Sequence, residues 1–405
     1  MTRTFDAVKV TDHIYWVGAV DWSVRDFHGY LTQRGSTYNA YLIVTDDRAV
    51  LVDTVKAPFL DEMLERIRSV VPLEKVDTIV SNHAEMDHSG SLPAAIEAIG
   101  PETVYASTMG VKALHKHYGE GLAIEALKEG ETMDVGGLTL HFVETRMVHW
   151  PDSMFTYVAE EKLLFSQDGF GMHLASNERF ADRLDPCVLD YEAAKYYANI
   201  LLPLSPIIRK LLDKVNEMGV ALDVIAPDHG PIWRTPETVG RIVGQYDAWS
   251  KNTLAKKAVV VYGTMWQSTA KMAKAIMQGL ADEDVPAHLL EVGPNHRSDL
   301  ATEMLDASAL VVGSPTLNNN ILPGVADVLT YLKGLKPRDR IGAVFGSYGW
   351  SGESTKDLAG ILEEMKIESV AEPVKVQYVP TDEELAQCRE LGREVGRKVK
   401  AKMGG

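Results

Sequence analysis

The chain carries the sequence SNHAEMDH at residues 81–88, directly after the apolar run VDTIV at residues 76–80. An apolar run of this length is typical of a buried strand, so the polar string is expected at a strand end. Imidazole and carboxylate groups are common ligands of transition metals. Four residues of the string carry such groups: His83, Glu85, Asp87 and His88. Taken alone, the string could also be a polar loop of solvated charges, which is the less favoured interpretation.

Three later residues favour the metal-binding interpretation. His149, Asp168 and His229 each close an apolar run, as the first string does. Pro151 follows His149 closely, and His229 lies between two prolines, so both imidazoles have rigid backbone settings. A surface histidine does not need such a setting. Brought together at strand ends, the seven side chains are enough to hold two metal ions.

The composition narrows the class of protein. A chain of 405 residues with 45% hydrophobic and 24% charged residues fits two or three globular domains. The net charge of −16 argues against a nucleic-acid partner, which requires basic surfaces. No apolar run is long enough to cross a membrane, and the first residues do not resemble a secretory signal. The two cysteines, Cys187 and Cys388, fit a reducing cytoplasm and are too few for an iron–sulfur or rubredoxin-type site.

The pattern of elements changes near residues 250–256. Before this point, short strands alternate with a few helices; we predict strands at 38–44, 49–54, 138–144, 154–158 and 162–166, and helices at 57–69, 92–99 and 191–218. After it, the apolar runs at 257–262, 310–313 and 342–346 are each followed by a polar loop. Strands that alternate with helices predict a doubly wound parallel sheet.

Three loops follow the apolar runs of the second region, at the expected ligand edge of such a sheet. The first is rich in hydroxyls and can surround a phosphate at a helix N-terminus, although Ser268 can also act there simply as a helix cap. The second loop, after the run at 310–313, offers side-chain amides. The third loop, after the run at 342–346, offers aromatic faces and glycines. The loops lack the Gly-Lys-Ser/Thr and Gly-x-Gly-x-x-Gly motifs of other nucleotide-binding loops. They resemble the loops that bind FMN in flavodoxins. The candidate FMN-binding residues are Thr264, Met265, Trp266, Gln267, Ser268, Thr269, Pro315, Thr316, Asn318, Asn319, Asn320, Ser347, Tyr348, Gly349, Trp350, Ser351 and Gly352.

The string at 81–88 resembles the metal loop of the metallo-β-lactamase superfamily, whose hydrolases carry His-x-His-x-Asp-His and usually bind zinc. Here Glu85 takes the place of the second histidine. A carboxylate supplies more anionic oxygen than an imidazole, which favours a redox metal such as iron over zinc. The form with glutamate is similar to that of the flavodiiron proteins, also called A-type flavoproteins.

This resemblance implies a fold and a set of ligands. The fold is α/β, with an N-terminal metallo-β-lactamase-like αββα sandwich (residues 1–250) and a C-terminal flavodoxin-like doubly wound parallel sheet (residues 256–405) that binds FMN. One iron would be held by His83, Glu85, His149 and Asp168. The other would be held by Asp87, His88, Asp168 and His229, so that Asp168 is shared. His28 and Tyr197 match positions that line the substrate pocket. The other histidines are interpreted as surface or core residues, with His173 as the first exception.

The resemblance also implies an activity: reduction of dioxygen to water, or coupling of two nitric oxide molecules to nitrous oxide, with electrons delivered through FMN. We favour dioxygen, although both activities use the same ligands. The external donor would be rubredoxin or a similar small carrier, with coenzyme F420 as an alternative. The assembly would be a head-to-tail homodimer, or a dimer of such dimers, in the cytoplasm. Two other classes stay open: a zinc hydrolase with a flavodoxin-like regulatory domain, and an electron carrier that uses FMN alone.

Overall fold

The computed structural model describes residues 4–217 and 219–404, and these form two compact units. The first comprises Met1–His28, Thr32–Tyr196 and Pro206–Asp247, and the second comprises Gly29–Leu31, Tyr197–Ser205 and Ala248–Gly405. The domain limits 1–250 and 256–405 remain a prediction, because this division groups two short segments of the first 250 residues with the second unit. Within the described residues, no helix has both the length and the apolar character that crossing a bilayer requires.

The chain up to residue 250 contains sixteen short strands and seven α-helices in the described part. The strands are β1 (Val8–Lys9), β2 (Ile14–Trp16), β3 (Ala19–Asp21), β4 (Asp26–Phe27), β5 (Tyr30–Leu31), β6 (Ser36–Tyr38), β7 (Tyr41–Val44), β8 (Ala49–Val52), β9 (Val76–Ser81), β10 (Thr103–Ser107), β11 (Glu125–Leu127), β12 (Thr132–Asp134), β13 (Thr139–Glu144), β14 (Met154–Val158), β15 (Leu163–Phe165) and β16 (Val224–Ala226). The helices are α1 (Leu60–Arg68), α2 (Met86–Ser89), α3 (Leu92–Ile99), α4 (Thr108–Tyr118), α5 (Pro186–Tyr196), α6 (Ser205–Glu217) and α7 (Pro236–Ser250).

Two sheets form the frame of the first unit. One has the order β1-β2-β7-β8-β9-β10-β11, and the other has the order β12-β13-β14-β15-β16. Successive side chains of a strand point to opposite faces of the sheet, so neighbouring residues pack into different cores. In β7, Tyr41 and Ile43 pack with Phe142 and Phe165 of the second sheet, whereas Leu42 packs on the opposite face with residues of α1, α3 and α4. The main core therefore lies between the two sheets, and helices cover the outer face of the first.

The helix predicted at 191–218 is wrong as a single element. Helix α5 ends at Tyr196, a π-helical segment (Tyr197–Leu201) and a 3₁₀ turn (Leu202–Leu204) follow, and α6 then runs from Ser205 to Glu217. Pro203 and Pro206 lie at this break. Proline lacks a backbone N–H and clashes with the preceding turn, so a regular helix cannot pass through. Residue 218, the predicted end, lies outside the described residues. The helix at 92–99 and the strand at 154–158 occur with the predicted limits.

The second unit is built around a parallel sheet with the order β18-β17-β19-β21-β22, with β20 paired to β19 and β23 to β21. Buried alanine and valine side chains fill the central strands, as expected for a sheet covered on both faces. The strands are β17 (Ala255–Tyr262), β18 (Ala287–Glu291), β19 (Ala307–Leu317), β20 (Asn320–Ile321), β21 (Ile341–Tyr348), β22 (Glu368–Ser369) and β23 (Val374–Gln377). The helices are α8 (Ser268–Asp282), α9 (Arg297–Glu303), α10 (Pro323–Leu335), α11 (Ser354–Glu364) and α12 (Asp382–Lys402).

Helices α8 and α12 make their closest approach at Gly279, which gives a stability prediction. A Cβ atom at Gly279 would lie 1.9 Å from the carbonyl oxygen of Arg389, so a side chain cannot fit without moving backbone. We expect Gly279→Ala to destabilise the protein by about 3 kcal/mol, the upper end for overpacking. Gly360 in α11 is the control, since its Cβ would meet nothing within 4 Å. Gly360→Ala should be neutral or stabilise by up to about 1 kcal/mol. Equal denaturation midpoints for the two variants would contradict this packing.

Candidate diiron centre and flavin site

The predicted ligands follow strand ends in the first unit. His83 and Glu85 come directly after β9, and the short helix α2 carries Asp87 and His88. The remaining three ligands follow three strands of the second sheet: His149 after β13, Asp168 after β15 and His229 after β16. Strands β13, β15 and β16 run in the same direction, since β14 is antiparallel to both of its neighbours and β15 is parallel to β16. Their ligand loops therefore lie at one edge of that sheet.

Four of the ligands form a first cluster, with their metal-binding atoms within 4.8 Å of one another: His83, Glu85, His149 and Asp168. The Nε2 atom of His149 lies 2.8 Å from Asp168 Oδ2 and 3.3 Å from Glu85 Oε2. The Nε2 atom of His83 lies 3.4 Å from each of the same two carboxylates. Two imidazoles and two carboxylates thus face a common point.

A second cluster contains Asp87, His88 and His229. The Nε2 atom of His229 lies 3.2 Å from Asp87 Oδ2 and 3.4 Å from Asp168 Oδ1. The Nε2 atom of His88 lies 3.2 Å from the same Asp168 Oδ1. Asp168 therefore directs Oδ2 to the first cluster and Oδ1 to the second, which is the geometry of a carboxylate that bridges two ions.

The polar atoms at the centre of the two clusters fit a pair of bound metal ions. Among the described residues, several are buried and have no hydrogen-bond partner: His83 Nε2, both Asp87 carboxylate oxygens, His88 Nε2 and Asp168 Oδ1. Buried polar atoms are rarely left without a partner, and each such atom requires an explanation. Coordination of metal ions by these atoms supplies one.

Within the centre, the carboxylates and the histidines stabilise each other's charged forms. Burial disfavours the charged form of Asp168, but the neighbouring histidines outweigh it and hold its pKa well below the usual range. Burial likewise opposes protonation of His88, yet Asp87 and Asp168 raise its pKa to about 10. His88 can therefore carry a proton beside ionised carboxylates. A metal cation would replace that proton, because a ligating imidazole must be neutral.

Hydrogen-bond partners orient the imidazoles of His83 and His229, and a carboxylate lies near His88. Asp152 Oδ2 lies 2.9 Å from His83 Nδ1, and the backbone carbonyl of Thr37 lies 2.6 Å from His229 Nδ1. Asp228 Oδ2 lies 3.4 Å from His88 Nδ1. In each case the Nδ1 side faces an acceptor and leaves Nε2 towards the centre, as in other histidine metal sites. Asp152 was not predicted from the sequence, although it is only three residues from His149.

The contact between Asp152 and His83 leads to a metal-affinity prediction. Asp152→Asn removes the charge that fixes the His83 ring, and partners of this kind typically contribute 10–100-fold to metal affinity. We expect iron affinity to fall by roughly that factor, measured by competition with a chelator. Asp223→Asn is the control, because Asp223 is an exposed residue of the same unit that pairs with Lys162 rather than with a proposed ligand. Unchanged iron affinity in Asp152→Asn would show that His83 does not depend on this carboxylate.

A cavity of about 480 Å³ opens beside the centre, and its lining includes Phe27, His28, Pro58, Glu85 and Met86. The Nε2 atom of His28 lies 3.8 Å from Glu85 Oε1, and its side chain is 79% exposed. His28 therefore lies at the mouth of the cavity, next to a ligand, where a substrate molecule would enter. Its pocket role stays a prediction.

Tyr197 is buried, and its pocket role stays a prediction. Its hydroxyl donates to Ser205 Oγ at 3.0 Å, and its ring packs against Trp249. The preceding residue, Tyr196, ends α5 and places its ring 6.1 Å from that of His229 and 5.2 Å from that of His173. The α-helix gives way to a π-helical segment after Tyr196, and the sequence alone does not reveal this change.

His173 is the exception among the remaining histidines. Its ring lies 4.6 Å from that of His229, and its Nδ1 lies 2.8 Å from Ser36 Oγ. Burial, with the nearby His229, lowers the pKa of His173 well below its usual value. A neutral imidazole therefore packs behind the second cluster.

The second unit holds a separate cavity of about 420 Å³ at the carboxyl ends of β17, β19 and β21. Ten predicted residues line it: Met265, Trp266, Ser268, Pro315, Thr316, Asn318, Ser347, Tyr348, Gly349 and Trp350. Seven others lie in the same loops but outside this lining: Thr264, Gln267, Thr269, Asn319, Asn320, Ser351 and Gly352. Sequence analysis missed Leu317, Tyr378 and Val379. Tyr378 and Val379 follow β23, a short strand whose pattern gives no strong signal.

The cavity fits a flavin mononucleotide. The Thr264 hydroxyl is buried without a hydrogen-bond partner, beside the N-terminus of α8, where a phosphate would be stabilised. Trp266 is 89% exposed and Trp350 is 85% exposed, both at the rim of the cavity. Such aromatic faces can pack against a flat ring system.

Comparison with known proteins agrees with both sites. Residues 37–230 match the ODP family beta lactamase model, and residues 260–392 match the flavodoxin model. The rubredoxin oxygen:oxidoreductase structure from Desulfovibrio gigas is 43% identical with a TM-score of 0.96, covering 99% of this chain and 100% of that one. The flavodiiron protein structure from Giardia intestinalis is 34% identical with a TM-score of 0.94, covering 99% and 98%. The chain belongs to the flavodiiron protein family. As a flavodiiron protein it is an oxidoreductase with FMN and a diiron centre, which confirms the predicted fold class and cofactors.

Two curated relatives extend over nearly the whole flavodiiron chain. A nitric oxide reductase from Moorella thermoacetica is 46% identical, covering 97% of this chain and 98% of its own. A rubredoxin-oxygen oxidoreductase from Megalodesulfovibrio gigas is 44% identical, covering 98% and 99%. The likeness to the rubredoxin-oxygen oxidoreductase and the likeness to the nitric oxide reductase are therefore similarly strong.

Proposed function

We propose that this flavodiiron protein reduces dioxygen to water at an iron pair held by His83, Glu85, Asp87, His88, His149, Asp168 and His229. The observation that carries the proposal is the bridging position of Asp168 between two clusters of buried, unpaired ligand atoms. Histidine and carboxylate ligands are typical of non-haem iron sites that react with dioxygen. The iron pair and the flavin supply the electrons for the reaction.

The protein's own residues prepare the site for a small diatomic substrate. Phe142 and Phe165 lie buried in the core between the two sheets, and a cavity opens beside Glu85. His28 lies at the mouth of that cavity, with its Nε2 3.8 Å from Glu85 Oε1 and close to the path of an entering molecule. We infer that Tyr196, rather than Tyr197, faces the same centre from the side of His229.

Nitric oxide is the second candidate substrate, and a specific observation supports it. The relative from Moorella thermoacetica bears the name nitric oxide reductase and is as similar to this chain as the rubredoxin-oxygen oxidoreductase. Both substrates are small diatomic molecules that fit the same cavity. The ligand set therefore supports either activity, and kinetics must separate them.

The decisive experiment is anaerobic stopped-flow of the reduced protein, after two irons and one FMN per chain have been confirmed. The protein is mixed in turn with dioxygen and with nitric oxide. Fast oxidation by dioxygen, with water rather than peroxide as product, is expected. Fast release of nitrous oxide with inactivation by dioxygen would instead establish nitric oxide reduction. Zinc in place of iron, with hydrolysis of a thioester or lactam, would overturn the proposal.

We further propose a head-to-tail homodimer, or a dimer of such dimers, in which the flavin of one subunit serves the irons of the other. The exposed rim of the flavin cavity supports this, because Trp266, Trp350 and Tyr378 form an apolar surface that a partner can cover. The donor would be rubredoxin, as the name of the Megalodesulfovibrio gigas relative indicates for that protein. The two free cysteines support a cytoplasmic location. A monomer in sedimentation with full turnover would contradict the dimer.

A further inference from the structure

Gln167 is a fully buried residue that carries no ligand atom, yet it contacts the loops of three proposed ligands. Its side-chain Nε2 donates to the backbone carbonyl of Val148, the residue before His149. Its side-chain Oε1 accepts from the backbone N–H of Asp168 at 2.8 Å. Its own carbonyl accepts from the N–H of Asp228, next to His229, at 2.8 Å.

The two side-chain contacts join ligands that must meet at one metal ion. His149 and Asp168 are separated by 19 residues in the chain, and their ligand atoms lie 2.8 Å apart. Their loops follow different strands, β13 and β15, which are not neighbours in the sheet. The Gln167 amide is a direct bridge between these loops.

Only an amide has the chemistry for this position. The amide group carries both donors and an acceptor, so it can donate to a carbonyl on one side and accept from an N–H on the other. An ionised glutamate would present a second acceptor to the Val148 carbonyl, and methionine would leave both backbone groups buried and unpaired. The backbone of Gln167 also adopts a φ of +41°, a conformation that is uncommon for residues other than glycine. An uncommon backbone conformation of this kind persists only where contacts with the surrounding structure hold it in place.

We propose that Gln167 is a positioning residue of the diiron centre, which holds the His149 loop and the bridging Asp168 at the separation that the first iron requires. The role rests on the ligand assignment of the proposed function. It predicts an asymmetric effect. Loss of the amide should disturb the iron held by His149 most, while the iron held by Asp87, His88 and His229 is affected only through the shared Asp168.

The test uses Gln167→Met in the full-length protein, reconstituted anaerobically with ⁵⁷Fe. Mössbauer spectroscopy and chelator competition then report the two irons separately. The wild type should show two iron environments. In Gln167→Met, we expect one environment to be altered or lost, with iron affinity at that site weaker by about 10–100-fold, as for other residues behind a metal ligand. The second environment should change less than the first, because of its ligands only the shared Asp168 contacts the lost amide.

Two further variants keep the result unambiguous. Gln245→Met is the matched control, because Gln245 lies in α7 of the same unit and its amide bonds Asp190 rather than a ligand loop. Gln167→Asn retains the amide but is too short to span both contacts, so a well-folded protein with a weaker form of the same spectral change is expected. Circular dichroism and the FMN content check the fold of each variant.

Two outcomes would overturn this role, and they differ from each other. If Gln167→Met and Gln167→Asn melt at lower temperature but bind two irons with wild-type affinity and spectra, Gln167 is only structural. If the wild type itself fails to bind two irons, the ligand assignment of the proposed function fails, and the role of Gln167 fails with it.

Discussion

Replacement of Asp168 by asparagine is expected to remove iron from both sites and to abolish turnover. Asp168 is the only residue that contacts both clusters among the described ligands, with Oδ2 towards His149 and Oδ1 towards His88 and His229. An amide is neutral and offers one oxygen, so it cannot bridge two cations. A residue that merely supports a ligand typically contributes 10–100-fold to metal affinity. Loss of the shared ligand should therefore exceed about 100-fold at each site, measured by metal analysis and by the rate of dioxygen consumption.

Asp77→Asn serves as the control for this variant. Asp77 lies in β9, close in sequence to the ligand string, and pairs with Arg48 rather than with a ligand. Burial opposes ionisation of Asp77, but its hydrogen bonds with Arg48 and Thr78 outweigh burial and lower its pKa. A lowered pKa stabilises the fold above the pKa of the unfolded chain, and this contribution disappears as the pH falls through the folded value. Asp77→Asn should therefore lose some stability at neutral pH but keep both irons. Two tightly bound irons in Asp168→Asn would contradict the bridging role.

Replacement of Ser268 by aspartate is expected to eliminate FMN binding. Ser268 lines the flavin cavity and begins α8, where the phosphate is predicted to lie. Two like charges about 4 Å apart near a protein surface repel by about 4 kcal/mol, and partial exposure reduces this value. We expect FMN affinity to fall at least ~100-fold, since each 1.4 kcal/mol is about tenfold. Turnover with an external donor should stop, while the iron content, measured on the same sample, stays unchanged.

Binding of riboflavin separates the contribution of the phosphate to affinity from that of the flavin ring. Riboflavin lacks the phosphate, so its affinity should be similar in Ser268→Asp and in the wild type. Ser369→Asp adds the same charge to an exposed strand of the second unit, away from the cavity lining, and should bind FMN normally. Equal losses of FMN and riboflavin affinity would show that Ser268 does not lie at the phosphate.

The ligands of the centre could be predicted because each of them follows an apolar run. Such a run becomes a strand, and the residue after it lies at a sheet edge, so local sequence already determines much of the placement. The structure brings His83, His149, Asp168 and His229 together, as that rule predicts. The flavin loops follow the same rule, and ten of their predicted residues line the cavity.

Other parts of the site depend on contacts between distant segments, which periodicity does not reveal. Asp152 and Gln167 act through hydrogen bonds to residues 69 and 19 positions away. Tyr378 reaches the flavin cavity from the strand β23, far along the chain from the other loops. The α-to-π transition at Tyr196 and Tyr197 is a further feature that periodicity does not reveal.

An anaerobic reductive titration of the holoprotein tests the central claim most directly. A flavin accepts two electrons and each of two irons accepts one, so the account predicts uptake of about four electrons per chain. About half of them should bleach the flavin absorbance, and the other half should change the iron spectrum alone. Addition of dioxygen should then restore both signals without accumulation of peroxide. Uptake of about two electrons, all at the flavin, would contradict a redox-active iron pair in this protein.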